Sequence, residues 1–137
     1  MEVTPLASEL RVVLGRLLRR LRAEHRVPLT QAAVLGRLDR DGTQSIGDLA
    51  TAEQVRPQSM SQTLAELEAD GLVRRRSDER DGRRILVGLT KEGRETLTRD
   101  RAVREGWLAS TLAEHFSESD LRVLEEAVTL LRRLSEL

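Results

Sequence analysis

The sequence has no cysteine, and its only aromatic residues are Trp107 and Phe116. Without thiols the chain can form no disulfide, no thiolate metal site and no cysteine-based redox switch. Proteins that bind single-stranded nucleic acid stack bases on aromatic rings, so the composition disfavours that class. No apolar run approaches the roughly 20 residues of a membrane span, and the first residues lack a signal-peptide core. We therefore expect a soluble cytoplasmic protein without a membrane partner.

The chain also has no formal net charge, because Lys+Arg and Asp+Glu both number 23 in 137 residues. A neutral chain is evidence against a basic protein that coats DNA regardless of sequence. The length suits one domain with a real core. Any case for DNA binding must therefore rest on where the arginines lie.

The signatures of enzymes are absent as well. There is no glycine-rich phosphate loop and no His-Glu metal motif, and Ser59 and Ser61 have no neighbouring base. The two histidines, His25 and His115, are expected at the surface or at helix ends, and a zinc site needs three or four ligands. The sequence predicts a protein that is not an enzyme and has no cofactor or metal.

Leucines at steps of three and four predict a first helix over residues 5–26, with Pro5 in its first turn. Its arginines are expected to form a solvated face. Thr30 is predicted to be the N-cap of a second helix over residues 31–40. The buried stripe of that helix would consist of Ala33, Val34 and Leu38.

Two shorter helices should follow. Ser45 is predicted to cap the third helix, and Asp48 lies where a capping box needs its acid. The fourth helix should begin at Pro57, which suits a first helical position, and end at Gly71. Its apolar residues step by four and three, so we expect them to be buried: Met60, Leu64 and Leu67. Its N-terminal half exposes uncharged hydrogen-bonding side chains, and its acids lie at the far end.

A basic hairpin comes next. Residues 72–77 read as an arginine-rich strand, and the returning strand alternates Ile85, Val87 and Leu89 on one face. Asp81-Gly82 predicts a two-residue turn between the strands, which would place Arg80 opposite Arg83.

Two helices should complete the chain. Thr90 is expected to cap a helix from Lys91 to about His115, and Ser117 with Asp120 to start the last one. The last helix has two adjacent apolar stripes, more than packing on one side needs. The first helix is equally rich in leucine, so we expect the terminal helices to form a dimer interface; the alternative is packing within their own domain. Trp107 would pack in this region or line an effector cleft.

From Ser45 onward the chain resembles the MarR family of bacterial regulators, and the resemblance covers nearly the whole chain, including the flanking helices. Residues 78–83, Asp-Glu-Arg-Asp-Gly-Arg, are similar to that family's wing motif. Residues 56–61 are similar to the start of its recognition helix and residues 67–73 to the end. The resemblance implies a mainly α fold with a small antiparallel β hairpin, the winged helix-turn-helix. Residues 1–137 would form one domain, with 30–90 as the DNA-binding lobe and 5–26 and 91–137 as dimerisation helices.

The resemblance also implies a function. Members of the family are homodimers that place the fourth helix in a major groove and the wing in a minor groove. They usually repress genes from a palindromic duplex operator. Many release DNA when a small phenolic or other anionic effector binds between the dimer helices and the DNA-reading lobe. Oxidant sensing through cysteine is excluded here, because the chain has none.

Neutral amides and hydroxyls pair well with base edges, which makes Gln58, Ser59 and Gln62 candidates for base contacts. Ser61 is a candidate for a phosphate contact. Pro57 would aim the N-terminal N–H groups of the helix at a phosphate, and Arg56 would clamp the backbone beside it. For the four polar side chains the alternative is an ordinary solvated helix surface.

In the wing, Arg83 is the first candidate for a minor-groove contact, and an ion pair with Asp78 or Asp81 is the alternative. Arg80 would either contact DNA or be held by the same acids as a brace. Arg84 is a candidate phosphate contact. Near-neutral net charge keeps a second function open, a winged helix that binds proteins as an adaptor without binding DNA.

Overall fold

The chain forms six helices and three short strands, and a computed structural model describes all of residues 1–137. This architecture confirms the prediction of a mainly α fold with a small antiparallel sheet. No helix is both long enough and apolar enough to cross a bilayer. In chain order the elements are α1 (Val3–Arg22), α2 (Leu29–Asp41), β1 (Gln44–Ser45), α3 (Ile46–Ala52), α4 (Pro57–Ala69), β2 (Val73–Ser77), β3 (Ile85–Leu89), α5 (Lys91–His115) and α6 (Glu118–Ser135).

The chain divides into two compact units. Met1–Val103 contains α1 to α4, the sheet and the first part of α5, whereas Arg104–Leu137 contains the rest of α5 and α6. The hydrophobic core lies in the first unit, and five elements contribute its fully buried apolar side chains: Leu35, Leu49, Leu64, Leu67, Val87 and Leu97. Each such side chain contributes roughly 1.5–3 kcal/mol relative to exposure. The predicted burial of Met60, Leu64 and Leu67 on α4 is confirmed.

The predicted start of α2 was wrong. The helix begins at Leu29, and the carbonyl of Pro28 accepts its first hydrogen bond, from the Ala32 N–H at 2.9 Å. Thr30 therefore lies inside the first turn and caps nothing, because Pro28 already has the extended backbone of an N-cap. The predicted burial of Val34 and Leu38 is confirmed, but Ala33 is exposed and Ala32 and Leu35 are buried instead.

The other predicted caps are confirmed. Ser45 Oγ accepts the Asp48 N–H at 3.1 Å, although Asp48 does not complete the reciprocal bond. Gly71 ends α4 with φ +75°, the left-handed conformation that glycine adopts most easily. Thr90 Oγ1 accepts the Gly93 N–H at 3.0 Å, and Ser117 with Asp120 forms a full capping box. The hydrogen bonds between Ser117 and the Asp120 carboxylate lower the pKa of Asp120 below its usual value.

The sheet has the order β1–β3–β2, with all neighbours antiparallel. In the ladder Val73 lies opposite Leu89 and Ser77 opposite Ile85, while β1 adds two residues on the other side of β3. The sequence did not predict β1, because two residues are too few to show an alternating pattern. Val87 is buried and Leu89 is half-buried, but Ile85 is exposed, since it lies at the loop end of the strand.

The predicted two-residue turn at Asp81-Gly82 was wrong. Residues 78–84 form a longer loop, whose tightest bend is centred on Gly82 and Arg83 and closed by the Arg84 N–H donating to the Asp81 carbonyl at 3.0 Å. A two-residue turn of type I′ needs positive φ at both central positions, and Gly82 does not adopt it. Arg80 and Arg83 are therefore not a cross-strand pair.

Both histidines lie at helix ends, one of the two places expected for them: His115 is the exposed last residue of α5, and the His25 N–H donates to the carbonyl of Arg22, the last residue of α1. The His25 side chain is 6% exposed, and its Nδ1 lies 3.0 Å from Asp100 Oδ2. The other oxygen of Asp100 accepts the Arg26 N–H at 2.8 Å. A carboxylate buried this deeply needs such donors. Through these contacts with His25 and Arg26, Asp100 of α5 holds the segment between α1 and α2 in place.

Candidate nucleic-acid interface

The N-terminal half of α4 presents uncharged hydrogen-bonding groups to solvent. Gln58, Ser59 and Gln62 are exposed and Ser61 is half-buried, whereas Met60 between them is 2% exposed and faces the core. The helical period separates the two sets, because the buried residues recur at steps of four and three. This half of the helix therefore offers amides and hydroxyls that can pair with base edges.

The first turn of α4 leaves backbone donors available. Pro57 occupies the start of the helix, and the N-cap residue, Arg56, makes no side-chain cap. The N–H groups of Gln58 and Ser59 therefore have no partner within the helix. A helix N-terminus with free N–H groups favours an anion, and the exposed Arg56 adds a full positive charge beside it.

A tight turn fixes α4 relative to α3. The Val55 N–H donates to the Ala50 carbonyl at 3.0 Å, and Gln54 adopts φ +56°, a left-handed conformation that reverses the chain. Leu49 and Ala50 of α3 are buried in the same core as Met60 and Leu64. The exposed face of α4 is thus supported by a packed layer beneath it.

The acids of α4 are held away from the polar N-terminal half. Glu66 Oε2 accepts a hydrogen bond from Gln31 Nε2 at 3.1 Å. Glu68 binds the Arg75 guanidinium with both oxygens, at 3.1 and 3.2 Å. The hydrogen bond from Arg75 lowers the pKa of Glu68 below its usual range. No pattern in the sequence predicted this pair, which connects α4 to β2.

The loop of residues 78–84, called the wing loop below, leaves the guanidinium groups of Arg80 and Arg83 free. Asp78 Oδ1 accepts the backbone N–H of Arg80 at 3.0 Å, and Asp81 Oδ1 accepts that of Arg83 at 3.1 Å. The acids therefore shape the loop backbone and form no ion pair with either guanidinium. Neither the ion pair considered for Arg83 nor the brace considered for Arg80 is present. Both side chains are exposed and available to a phosphate-lined groove.

Arg84 is placed differently from its two neighbours. Its Nη2 lies 3.2 Å from Asp48 Oδ2, so it joins the loop to the first turn of α3. The two side chains are 48% and 68% exposed, and ion pairs at such sites contribute little stability. A phosphate could therefore compete with Asp48 for this guanidinium.

All nine candidate residues lie in the first unit, on α4, immediately before it, or in the loop between β2 and β3. Arg56 beside α4 and the arginines Arg80 and Arg83 in the loop have no acidic partner, so a chain with no net charge can still present local positive charge at both sites. The chain has no group of three or more His, Asp or Glu side chains arranged to hold a metal ion. The arrangement suits binding of a polyanion with groups that read bases, and it contains no nucleophile paired with a base.

Comparison with known proteins agrees with this geometry. Residues 27–84 match the sequence profile of the MarR family. Uncharacterised HTH-type transcriptional regulators of Mycobacterium bovis and Mycobacterium leprae are each 36% identical to this chain, over 94% of it and 92% of their own length. A candidate transcriptional regulator from Pseudomonas aeruginosa superimposes with a TM-score of 0.87 at 36% identity, covering 97% of this chain and 96% of its own.

A more distant structure has the same fold. The Escherichia coli MarR mutant solved in complex with operator DNA has a TM-score of 0.69 at 20% identity, and the match covers 94% of both chains. The winged helix-turn-helix fold predicted from the sequence is therefore confirmed.

Proposed function

This chain belongs to the MarR family of DNA-binding transcriptional regulators, which are not enzymes, and from that premise we propose that it represses transcription as a homodimer on a palindromic operator. Each subunit would insert the N-terminal half of α4 into a major groove and the wing loop into the adjacent minor groove. The protein would do this in the cytoplasm. The observation that carries the proposal is the pairing of an uncharged, exposed half-helix with a loop in which the Arg80 and Arg83 guanidinium groups have no acidic partner.

The roles of the α4 residues follow from their exposure and chemistry. Gln58, Ser59 and Gln62 would contact base edges, since amides and hydroxyls fit the donor and acceptor pattern of the major groove. Ser61 would bind a phosphate. Pro57 would leave the N-terminal N–H groups of the helix facing a phosphate, and Arg56 would clamp the same strand.

The roles of the wing arginines differ from one another. Arg83 lies at the bend of the loop and would enter the minor groove, where narrow stretches concentrate negative potential. Arg80 would bind the backbone or the groove edge. Arg84 would exchange its contact with Asp48 for a phosphate, and that exchange costs little for an exposed ion pair.

The dimer is proposed from the apolar faces of the terminal helices, each considered by itself. Neither α1 nor α6 has a single buried residue, although both are rich in leucine and valine. A soluble monomer rarely leaves a contiguous apolar face of this kind in water. The most exposed apolar side chains of the two helices are Val3, Leu6, Val13, Leu18, Val123, Val128, Leu130 and Leu134.

An effector would release the operator by binding near the connection between α1 and α2. A concavity of about 640 Å³ there is lined by Arg22, His25 and Arg26, among others. Two guanidinium groups suit the phenolic or other anionic ligand expected for this family. Trp107 is half-buried in the second unit, and its part in an effector cleft stays a prediction.

The test is selection of genomic DNA fragments by the purified protein, followed by mobility shifts on the selected sequence. We expect a discrete shift that weakens steeply between about 50 and 200 mM salt, because phosphate contacts release counterions. A reporter controlled by the selected site should be repressed when the protein is present. Absence of any selected sequence, with no shift at either salt concentration, would favour the protein-binding adaptor, the alternative that the zero net charge keeps open.

A further inference from the structure

The outer face of the sheet has a basic concavity that contains none of the residues proposed to contact the operator. Its volume is about 380 Å³, and the lining that matters here is Thr43, Arg74, Arg76, Gly88, Thr90 and Lys91. Three of these side chains are cationic, and no carboxylate lines the concavity. We call this surface the sheet pocket.

Strand alternation creates the sheet pocket. Successive residues of β2 point to opposite faces, so Arg74 and Arg76 lie on one face and Arg75 on the other. Arg75 is neutralised by its bidentate pair with Glu68. Arg74, Arg76 and Lys91 form no ion pair, in a chain that has as many acids as bases. The charge of the sheet pocket is therefore left uncompensated by the protein itself.

A glycine keeps the floor of the sheet pocket open. Gly88 lies opposite Arg74 in the ladder, and a Cβ there would approach Thr43 Oγ1 to 3.0 Å. Because this position has no side chain, an anion can reach the Arg74 guanidinium and the Thr43 hydroxyl together. Arg74 and Arg76 are separated by about 6.6 Å along the strand, which suits more than one anionic group.

The start of α5 adds to the positive electrostatic potential of the sheet pocket. Lys91 is the first residue of this helix, and the positive end of the helix dipole lies beside it. The Thr90 hydroxyl is already occupied by the Gly93 N–H and the Gly71 carbonyl, so it orders the wall and is not itself a ligand.

We propose that the sheet pocket binds a phosphate-bearing polyanion through Arg74, Arg76 and Lys91, separately from operator reading by α4. Guanidinium forks pair with phosphate oxygens in a bidentate manner, and three cations lining one concavity favour a ligand with at least two negative charges. The phosphates belong either to a free phosphorylated small molecule or to DNA that flanks the operator. Both sources have the same chemistry, and the experiment distinguishes them.

The first arm titrates inorganic pyrophosphate into the full chain at about 0.15 M salt and follows heat and backbone NMR shifts. We expect saturable binding of one ligand per chain, with shifts at Thr43, Gly88 and Lys91. The double variant Arg74→Gln/Lys91→Gln should bind about tenfold more weakly or not at all, since contacts with charged groups are the strong ones. The matched control is Arg40→Gln/Arg99→Gln, which removes two charges from helix surfaces outside the sheet pocket. It should bind as the unmodified chain does.

The second arm measures binding to an operator duplex with and without flanking DNA. If only the flanked duplex is bound more weakly by Arg74→Gln/Lys91→Gln, and pyrophosphate binds without saturating, DNA phosphates are the ligand. The proposal fails if neither pyrophosphate nor flanked DNA distinguishes this variant from its control. Arg83→Ala separates the proposal from operator reading, because it should keep pyrophosphate binding whatever happens to the operator.

Discussion

At the scale of single residues, Gly93 determines how α5 can pack. A Cβ at this position would overlap the Leu72 carbonyl oxygen and lie 2.8 Å from Leu89 Cδ1. The Thr90 N–H also donates to that carbonyl, at 3.1 Å, so the backbone there has little room to move. The helix therefore approaches Leu72, the residue before β2, more closely than a side chain at position 93 would allow.

We expect Gly93→Ala to lower the free energy of unfolding by roughly 1–3 kcal/mol, the usual cost of overpacking. The measurement is urea denaturation followed by circular dichroism. The control, Gly106→Ala, lies on the same helix with open space around its Cβ and should be neutral or stabilising by up to about 1 kcal/mol. Equal stability of the two variants would mean that the contact with Leu72 does not constrain the helix.

Gln58 tests whether α4 reads sequence. Because it is exposed at the N-terminal end of the helix, Gln58→Ala should change preference at one base pair of the operator by about 1–3 kcal/mol. Competition binding against a set of single-base operator variants measures this. A loss that is uniform over all variants would instead assign Gln58 to positioning on the backbone.

At the scale of elements, the sequence predicted α4 best and the loop between the strands worst. The apolar spacing of α4 and the glycine at its end agree with one another, and both are confirmed. The prediction for the loop failed because the side chains of Asp78 and Asp81 accept hydrogen bonds from nearby backbone N–H groups. These bonds replace those of a two-residue turn, and the Asp-Gly signature does not reveal them. The Glu68–Arg75 pair could not be foreseen either, since it depends on how β2 lies against α4.

The wing can be tested through Arg83. We expect Arg83→Ala to weaken binding about equally across operator sequences and to reduce the salt dependence by about one phosphate equivalent, because its positive charge would be lost from the groove. Mobility shifts at several salt concentrations measure both effects. Arg99→Ala, on α5, serves as the control for loss of one positive charge. Unchanged affinity in Arg83→Ala would remove the wing from the mechanism.

The bond between β2 and α4 should make stability depend on pH. Arg75 lowers the pKa of Glu68 in the folded state, so the pair stabilises the fold above the pKa of Glu68 in the unfolded chain. That contribution is lost as pH falls through the lower, folded pKa. Glu68→Gln should therefore destabilise the protein at neutral pH, and the difference should shrink under acid.

Urea midpoints between neutral and acidic pH, for both forms, give the measurement. In an Arg75→Gln background the substitution at Glu68 should have no such pH-dependent effect, as a double-mutant cycle requires. A difference that persists unchanged in acid would assign the effect of Glu68→Gln to packing.

At the scale of the whole molecule, the amino-acid composition alone excluded several classes of protein. The absence of cysteine excluded thiolate metal sites and redox sensors, the scarcity of aromatic residues disfavoured binding of single-stranded nucleic acid, and the zero net charge disfavoured a protein that coats DNA. The wing and recognition-helix motifs then indicated the family. What composition could not supply is the placement of buried polar groups. His25 and Asp100, far apart in the sequence, become a buried pair only through the packing of α5 against the connection that follows α1.

The proposed dimer can be tested on α6. Leu130 is 60% exposed, so Leu130→Glu should leave the single chain folded while placing a charge in the apolar interface. We expect dissociation at micromolar concentration in sedimentation velocity, together with weaker operator binding. Thr129→Glu adds the same charge on the polar side of the helix and should remain dimeric. Dissociation in both variants, or in neither, would contradict a dimer formed through this face.

The position of β2 at the border of the sheet has one more consequence. An unpaired strand border can recruit the same border of another molecule, and repeated pairing of this kind leads to fibrils. Here the border carries Arg74, Arg75 and Arg76 in succession. Stacking identical copies would bring like charges together at every step. The residues that give the sheet its positive charge therefore also disfavour edge-to-edge pairing of β2 between copies of this chain.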